Sequence, residues 1–182
     1  AEAHRPVMSK WLQKFDAISV REKTALNILK AIGVEGVEVV DPVYLLTQQL
    51  WSKFAGENKR QKEKYILVYD IDLDNDDLRK EAERLSKLYG YKIVAVCALG
   101  KNSYAQISIK DAGPQEFVNL IKNAEFVISN SFHATSFSII FNRPFSTFYK
   151  KKNVSRMVDL LKNIGLEHCL NPVSPDYIFQ WN

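Results

Sequence analysis

The segment Ser129-Asn130-Ser131-Phe132-His133-Ala134-Thr135-Ser136 gathers hydroxyl, amide and imidazole groups directly behind the apolar run Phe126-Val127-Ile128. Small polar residues at the start of a helix leave room for an anion at its free N–H groups, and a histidine in the first turn can donate to that anion. Asn130, Ser131, His133 and Thr135 are the candidates at this place. A helix cap at Asn130 or Ser131 beside a structural histidine is the competing reading of the same residues. Two arginines stand at comparable junctions. Arg21 follows the run Ala17-Ile18-Ser19-Val20, and its planar fork can hold a carboxylate or phosphate by two hydrogen bonds. A pair with the adjacent Glu22 is the simpler alternative. Arg156 follows Ser155, a residue type that caps helices, and comes after Lys150-Lys151-Lys152, a run of the kind usually found in solvated loops.

Other clusters are decoys. Asp70-Ile71-Asp72-Leu73-Asp74-Asn75 with Glu81 has the spacing of a calcium loop, but Asn75 replaces the required glycine and a strand-like run precedes it. Helix-capping carboxylates fit better, and no metal is expected. His168-Cys169 has no second ligand pair for zinc. No dinucleotide fingerprint, phosphate-binding P-loop or Gly-x-Ser-x-Gly elbow occurs. The two cysteines, Cys97 and Cys169, cannot build a disulfide framework, and Cys97 ends an apolar run; a reduced, cytoplasmic compartment suits both.

The chain of 182 residues is 46% hydrophobic and 25% charged, enough for one large domain or two small ones. A net charge of +4 is too small to imply nucleic acid. Its distribution says more. From Phe126 to Val158 there is no Asp or Glu, whereas Arg143, the three lysines and Arg156 all fall there, so one end should be electropositive and suited to a small anion. No apolar run reaches the length of about 18 residues that a membrane span needs, and the first sixteen residues lack the apolar core of a signal peptide.

These junctions must be positioned by the elements around them. Strand-like runs at 17–20, 37–40, 65–69, 93–97, 126–129 and 145–148 alternate with helical patterns at 22–32, 45–54, 76–89, 114–123, 132–141 and 156–164. Such alternation implies crossover connections and an α/β fold with a doubly wound, mostly parallel Rossmann-like sheet. The expected organisation is a lead segment (1–14), the sheet domain (15–170) and a tail (171–182). Ligands of these sheets bind where strands end and helices begin. Arg21 and His133, each behind a strand, are therefore expected on one edge of the sheet.

Several motifs occur together and in order: Phe15-Asp16-Ala17-Ile18-Ser19-Val20-Arg21-Glu22, Val40-Asp41-Pro42, Pro114-Gln115-Glu116-Phe117, Asn130-Ser131-Phe132-His133-Ala134-Thr135, Asn142-Arg143-Pro144-Phe145, and Ser155-Arg156 with Asp159-Leu160-Leu161. From about Phe15 to Leu166 the chain thereby resembles the C-terminal half of the polysaccharide pyruvyl transferase family. That resemblance implies one half of a glycosyltransferase-B-like bacterial enzyme of exopolysaccharide biosynthesis, and hence a piece of a two-domain whole. Its members move a pyruvyl group from phosphoenolpyruvate to two sugar hydroxyls, forming a cyclic ketal and releasing phosphate. Phosphoenolpyruvate enters as co-substrate with no further cofactor, and the acceptor is a saccharide, compatible with peripheral association at a membrane-bound glycolipid.

By the same resemblance His133 is the proton donor or the holder of the leaving phosphate, Glu22 or Asp41 the base for the acceptor, and Arg21 and Arg156 the anion clamps. Asn130, Ser131, Thr135 and Ser155 complete the substrate-binding set. Many members carry a basic residue two places before the histidine. Ser131 stands there, so Arg21, Arg156 or a lysine must compensate, or the donor differs. Two other functions stay open: a glycosyltransferase half binding a nucleotide sugar, for whose base no stacking motif is evident, and a non-catalytic sugar- or anion-binding domain.

Overall fold

The computed structural model describes residues 4–57, 63–71, 75–97, 103–149 and 155–172. Lys150, Lys151 and Lys152, Asp72 and Asp74 of the acidic loop, and the tail beyond 172 lie outside the described residues. The chain divides into two compact units, 1–45 and 46–182.

In the first unit the lead segment forms a helix, α1 (Arg5–Leu12), with Pro6 in its first turn, where the missing N–H costs nothing. Strand β1 (Ser19–Val20), helix α2 (Lys23–Ala31) and strand β2 (Val37–Glu38) follow. The strands pair in parallel, Ser19 with Val37 and Val20 with Glu38. Gly36 permits this approach: a Cβ there would lie 2.6 Å from Leu29 Cδ1 and 3.3 Å from the Ile18 carbonyl oxygen. The expectation of one sheet from residue 15 onward is corrected here, because β1 and β2 form a two-stranded sheet of their own. The run is too short, and Val37, Val39 and Val40 too exposed, for the flanking burial that central parallel strands require.

The second unit holds α3 (Gln48–Ala55), β3 (Tyr65–Tyr69), α4 (Asp76–Tyr89), β4 (Lys92–Val96), β5 (Ile107–Ile109), α5 (Pro114–Asn123), β6 (Phe126–Ser129), α6 (Phe132–Ile140), β7 (Phe145–Thr147) and α7 (Ser155–Asn163). Its helices start and stop on local chemistry. Asn75 accepts from the Leu78 N–H at 3.1 Å, Asp76 and Asp77 sit at the positive end of the α4 dipole, and Gly90, at φ 69°, ends it in the left-handed region. Strand β5 had no counterpart in the sequence reading; its Ile-Ser-Ile is too short to show a period.

The strands run parallel in the order β5-β4-β3-β6-β7. Ile66, Val68, Ile93, Ala95 and Ile128 meet Leu78, Ala82 and Leu85 of α4 in a continuous core on one face. Helices α5 and α6 cover the other face, and Asn119 ties α3 to α5 by donating at 3.0 Å to the carbonyls of Ala55 and Gly56. From β3 the chain winds outward through β4 and β5, then returns by α5 to lay β6 and β7 on the opposite side. The order reverses between β3 and β6, and there the strand ends part to leave a crevice.

Tyr65 at the start of β3 is buried and donates its hydroxyl to the Leu120 carbonyl at 2.6 Å. Burial pushes its phenol well above the ordinary value of 10.0, against a smaller lowering by Arg143. Its folded-state pKa is raised, so the stability it contributes is complete below pH 10 and is lost as pH rises beyond it. Tyr65→Phe should cost about 1 kcal/mol at pH 7 and flatten the alkaline fall. Tyr104, pushed up to about 12 by burial and then by Asp70, retains part of that slope. Denaturant titrations of both proteins at neutral pH and at about pH 10.5 check this.

Candidate functional site

Side chains close the switch point that the backbone opens. At the end of β6, Ser129 donates to the Tyr69 carbonyl of β3 at 2.6 Å and accepts from the Ser131 N–H at 3.0 Å. Asn130 reaches across to the exit of β3: its carbonyl oxygen accepts from the Ile71 N–H at 2.8 Å and its amide donates to Asp70 Oδ1 at 2.6 Å. Asp70 is buried, and its second oxygen accepts from the Asn75 N–H at 3.1 Å. This carboxylate, expected as part of a solvated loop, therefore belongs to the seam between the strands. No group of three or more His, Cys, Asp or Glu able to hold a metal occurs among the described residues.

The polar cluster at the start of α6 separates into two roles. Asn130 was expected to touch substrate, but both ends of its amide are engaged by the seam. Thr135 is buried, donating to the Ser131 carbonyl at 3.1 Å and meeting the Thr147 hydroxyl at 3.2 Å, so it braces α6 on β7. Thr135 is turned into the frame because a parallel sheet buries both of its faces. Ser131 is the N-cap of α6, accepting from the Ala134 N–H at 3.4 Å, and also lines the crevice. His133, in the first turn, is exposed and lines it too.

The crevice is a cleft of about 550 Å³. Trp51 and Phe54 from α3, Tyr69 from β3, Phe117 from α5 and Phe137 from α6 supply its aromatic walls, and Lys110, Ser131 and His133 its polar groups. The rings meet edge to face: Trp51 lies 4.8 Å from Phe137 and 5.6 Å from Phe54 between centroids, and Tyr69 lies 4.9 Å from Phe117. Sequence reading found no ring-binding pocket and did not single out Lys110. These residues come from segments some eighty positions apart, and only the sheet order assembles them. Locally, Lys110 stands behind a strand too short to announce itself in the sequence.

Arg156 lies in the first turn of α7 with its guanidinium carbon 3.6 Å from the centroid of the Phe132 ring. Phe132 meets the His133 ring edge-on at 5.6 Å. One phenyl ring thus contacts both a cation, on its face, and an imidazole, at an edge. Helix α7 begins at Ser155 itself, so the position before it, where a cap belongs, falls outside the described residues.

Arg21 and Glu22 belong to the first unit. Arg21 Nη1 pairs with Asp41 Oδ2 at 2.6 Å, and Asp41, buried, also accepts from the Val43 N–H at 3.1 Å. The ion-pair partner of Arg21 is thus Asp41. Arg21 and His133 follow strands of two different sheets, not one edge.

A doubly wound parallel sheet with a ligand-sized cleft at its topological switch point defines a Rossmann-like domain of the glycosyltransferase-B kind. The chain belongs to the polysaccharide pyruvyl transferase family, whose sequence model matches residues 1–149. Among solved structures it is similar to the UDP-GlcNAc 2-epimerase of Methanocaldococcus jannaschii, in complex with UDP-GlcNAc and UDP. The two share 20% identity at a TM-score of 0.52, over 72% of this chain and 44% of the other. The chain thus spans less than half the length of that enzyme. No curated protein matches it.

The seam yields a test. Asn130→Asp would place a carboxyl group against buried Asp70, and like charges that close cannot both ionise. One folded-state pKa is then raised, so the variant loses stability as pH rises through it. It should melt well below the wild type at pH 8 and recover part of the gap at pH 5, in thermal melts. Asn130→Ala should lose about 1–3 kcal/mol and recover less at pH 5, since it removes a donor from Asp70 without adding a second charge.

Proposed function

We propose that this chain supplies the phosphoenolpyruvate-binding half of a pyruvyl transferase that forms cyclic ketals on a saccharide. The observation carrying the reading is His133, exposed in the first turn of α6 on the wall of the switch-point cleft and inside the family-matched segment. The reading rests on residues of the second unit alone.

The donor presents a phosphate and a carboxylate on one three-carbon enol. It requires a cation held in a fixed orientation, a proton for its methylene carbon, and room for a diol. Arg156, pinned by the Phe132 ring, is the cation. A histidine changes charge near neutral pH and so can both deliver and recover a proton. Protonation by His133 turns the methylene into a methyl and makes the adjacent carbon electrophilic. A first hydroxyl adds there and loses its proton, phosphate leaves, and a second hydroxyl adds and loses its proton to close the ketal. One proton stays on the methyl and one departs with hydrogen phosphate, so the sum balances. The N–H groups at the α6 N-terminus suit the departing dianion.

The reading is tested by phosphate release from phosphoenolpyruvate with a panel of saccharide diols, alongside donor binding by calorimetry. His133→Gln should abolish release by at least a hundredfold while changing donor affinity only a few-fold. Arg156→Ala should weaken donor binding roughly ten- to a hundredfold, a loss that persists in high salt, as expected of a partly desolvated clamp. Lys151→Ala controls for bulk positive charge. Failure of phosphoenolpyruvate to bind, or equal salt-sensitive losses in both charge variants, would overturn the assignment.

A further inference from the structure

The cleft extends well beyond the surroundings of His133. His133 follows β6 and Lys110 follows β5, and two strands lie between them in the sheet. At about 4.8 Å per strand spacing, the strand ends that carry these residues stand about 14 Å apart. Once both side chains lean inward, the gap fits a sugar ring and one substituent. The walls between them are aromatic, with Trp51 against Phe137 and Tyr69 against Phe117 each meeting edge to face. Such walls suit the C–H face of a pyranose, whose apolar area they remove from water. At the far end exposed Lys110 brings an ammonium to the rim of these walls, where it can meet an anion. No ion pair joins Lys110 to a carboxylate among the described residues.

We infer that this cleft is the acceptor subsite and that it selects a saccharide carrying an anionic group, held by Lys110, one ring away from the hydroxyls presented at His133. The inference rests on the transferase reading above and adds the charge of the acceptor to it. A phosphate ester or the carboxylate of a uronic acid would supply the same charge.

The test is calorimetric titration of the whole protein with glucose, glucose 1-phosphate, glucuronic acid, inorganic phosphate and uridine diphosphate, repeated on Lys110→Gln and Trp51→Leu. At least one anionic sugar should bind roughly tenfold more tightly than glucose. A preference for glucose 1-phosphate assigns the charge to a phosphate, and a preference for glucuronic acid to a carboxylate. Lys110→Gln should erase the preference by weakening the anionic sugars much more than glucose, whereas Trp51→Leu should weaken every sugar. The inference is overturned if Lys110→Gln keeps the preference, if inorganic phosphate binds as tightly as the preferred sugar, or if uridine diphosphate binds more tightly than any of them. Phosphoenolpyruvate titrated into Lys110→Gln separates the two proposals. Unchanged donor binding with no selectivity for anionic sugars defeats only the acceptor assignment. Selectivity without donor binding in the wild type defeats the transferase reading.

Discussion

The hydrogen bond from Asn130 to buried Asp70 is the constraint on which the site depends. A parallel sheet whose winding reverses has no backbone reason to hold the two central strand ends together beyond the last ladder bond. Here side chains take over. The amide of Asn130 bridges to Ile71 and Asp70, Asp70 anchors the start of α4 through Asn75, and Ser129 reaches the Tyr69 carbonyl. Buried polar groups of this kind are costly when half satisfied and rigid when complete. The first turn of α6, with His133, is aimed by that seam.

Around it the site divides its labour between charge and shape. The cations proposed for it, Lys110 and Arg156, come from a loop and a first turn, where a long side chain can keep water on one side; the walls come largely from helices packed on the sheet. Arg156 illustrates how a flexible side chain becomes usable: stacked on Phe132, it has already lost rotamer freedom that binding would otherwise have to remove.

The alternation of apolar runs and helical periods in the second unit was legible in the sequence, and so was the parallel, doubly wound sheet, because burial on both faces writes near-continuous apolar strands such as Tyr65–Tyr69. The junction bearing His133 was legible for the same reason. Local pattern could not say that Ser19–Val20 belongs elsewhere, since two residues carry no period. Nor could it separate Thr135, turned inward, from His133, turned outward, in one polar octet. The cleft was invisible, being a product of strand order, and Asp41 as the partner of Arg21 was a matter of tertiary approach alone.

The sheet order also has a kinetic meaning. Ile66 pairs with Ile93 on one side, reached through a single helix, and with Phe126 on the other, reached only after the whole outward excursion has been made. Closing the longer loop costs more chain entropy and rewards it later. The outer half of the sheet can therefore assemble while β6 is still unattached, and a chain arrested at that stage would have most of its secondary structure and no cleft. Binding competence is expected to arrive last, in the same step that docks β6. Ligands of the cleft would then act on how long the finished sheet stays closed, with little effect on how fast its first half forms.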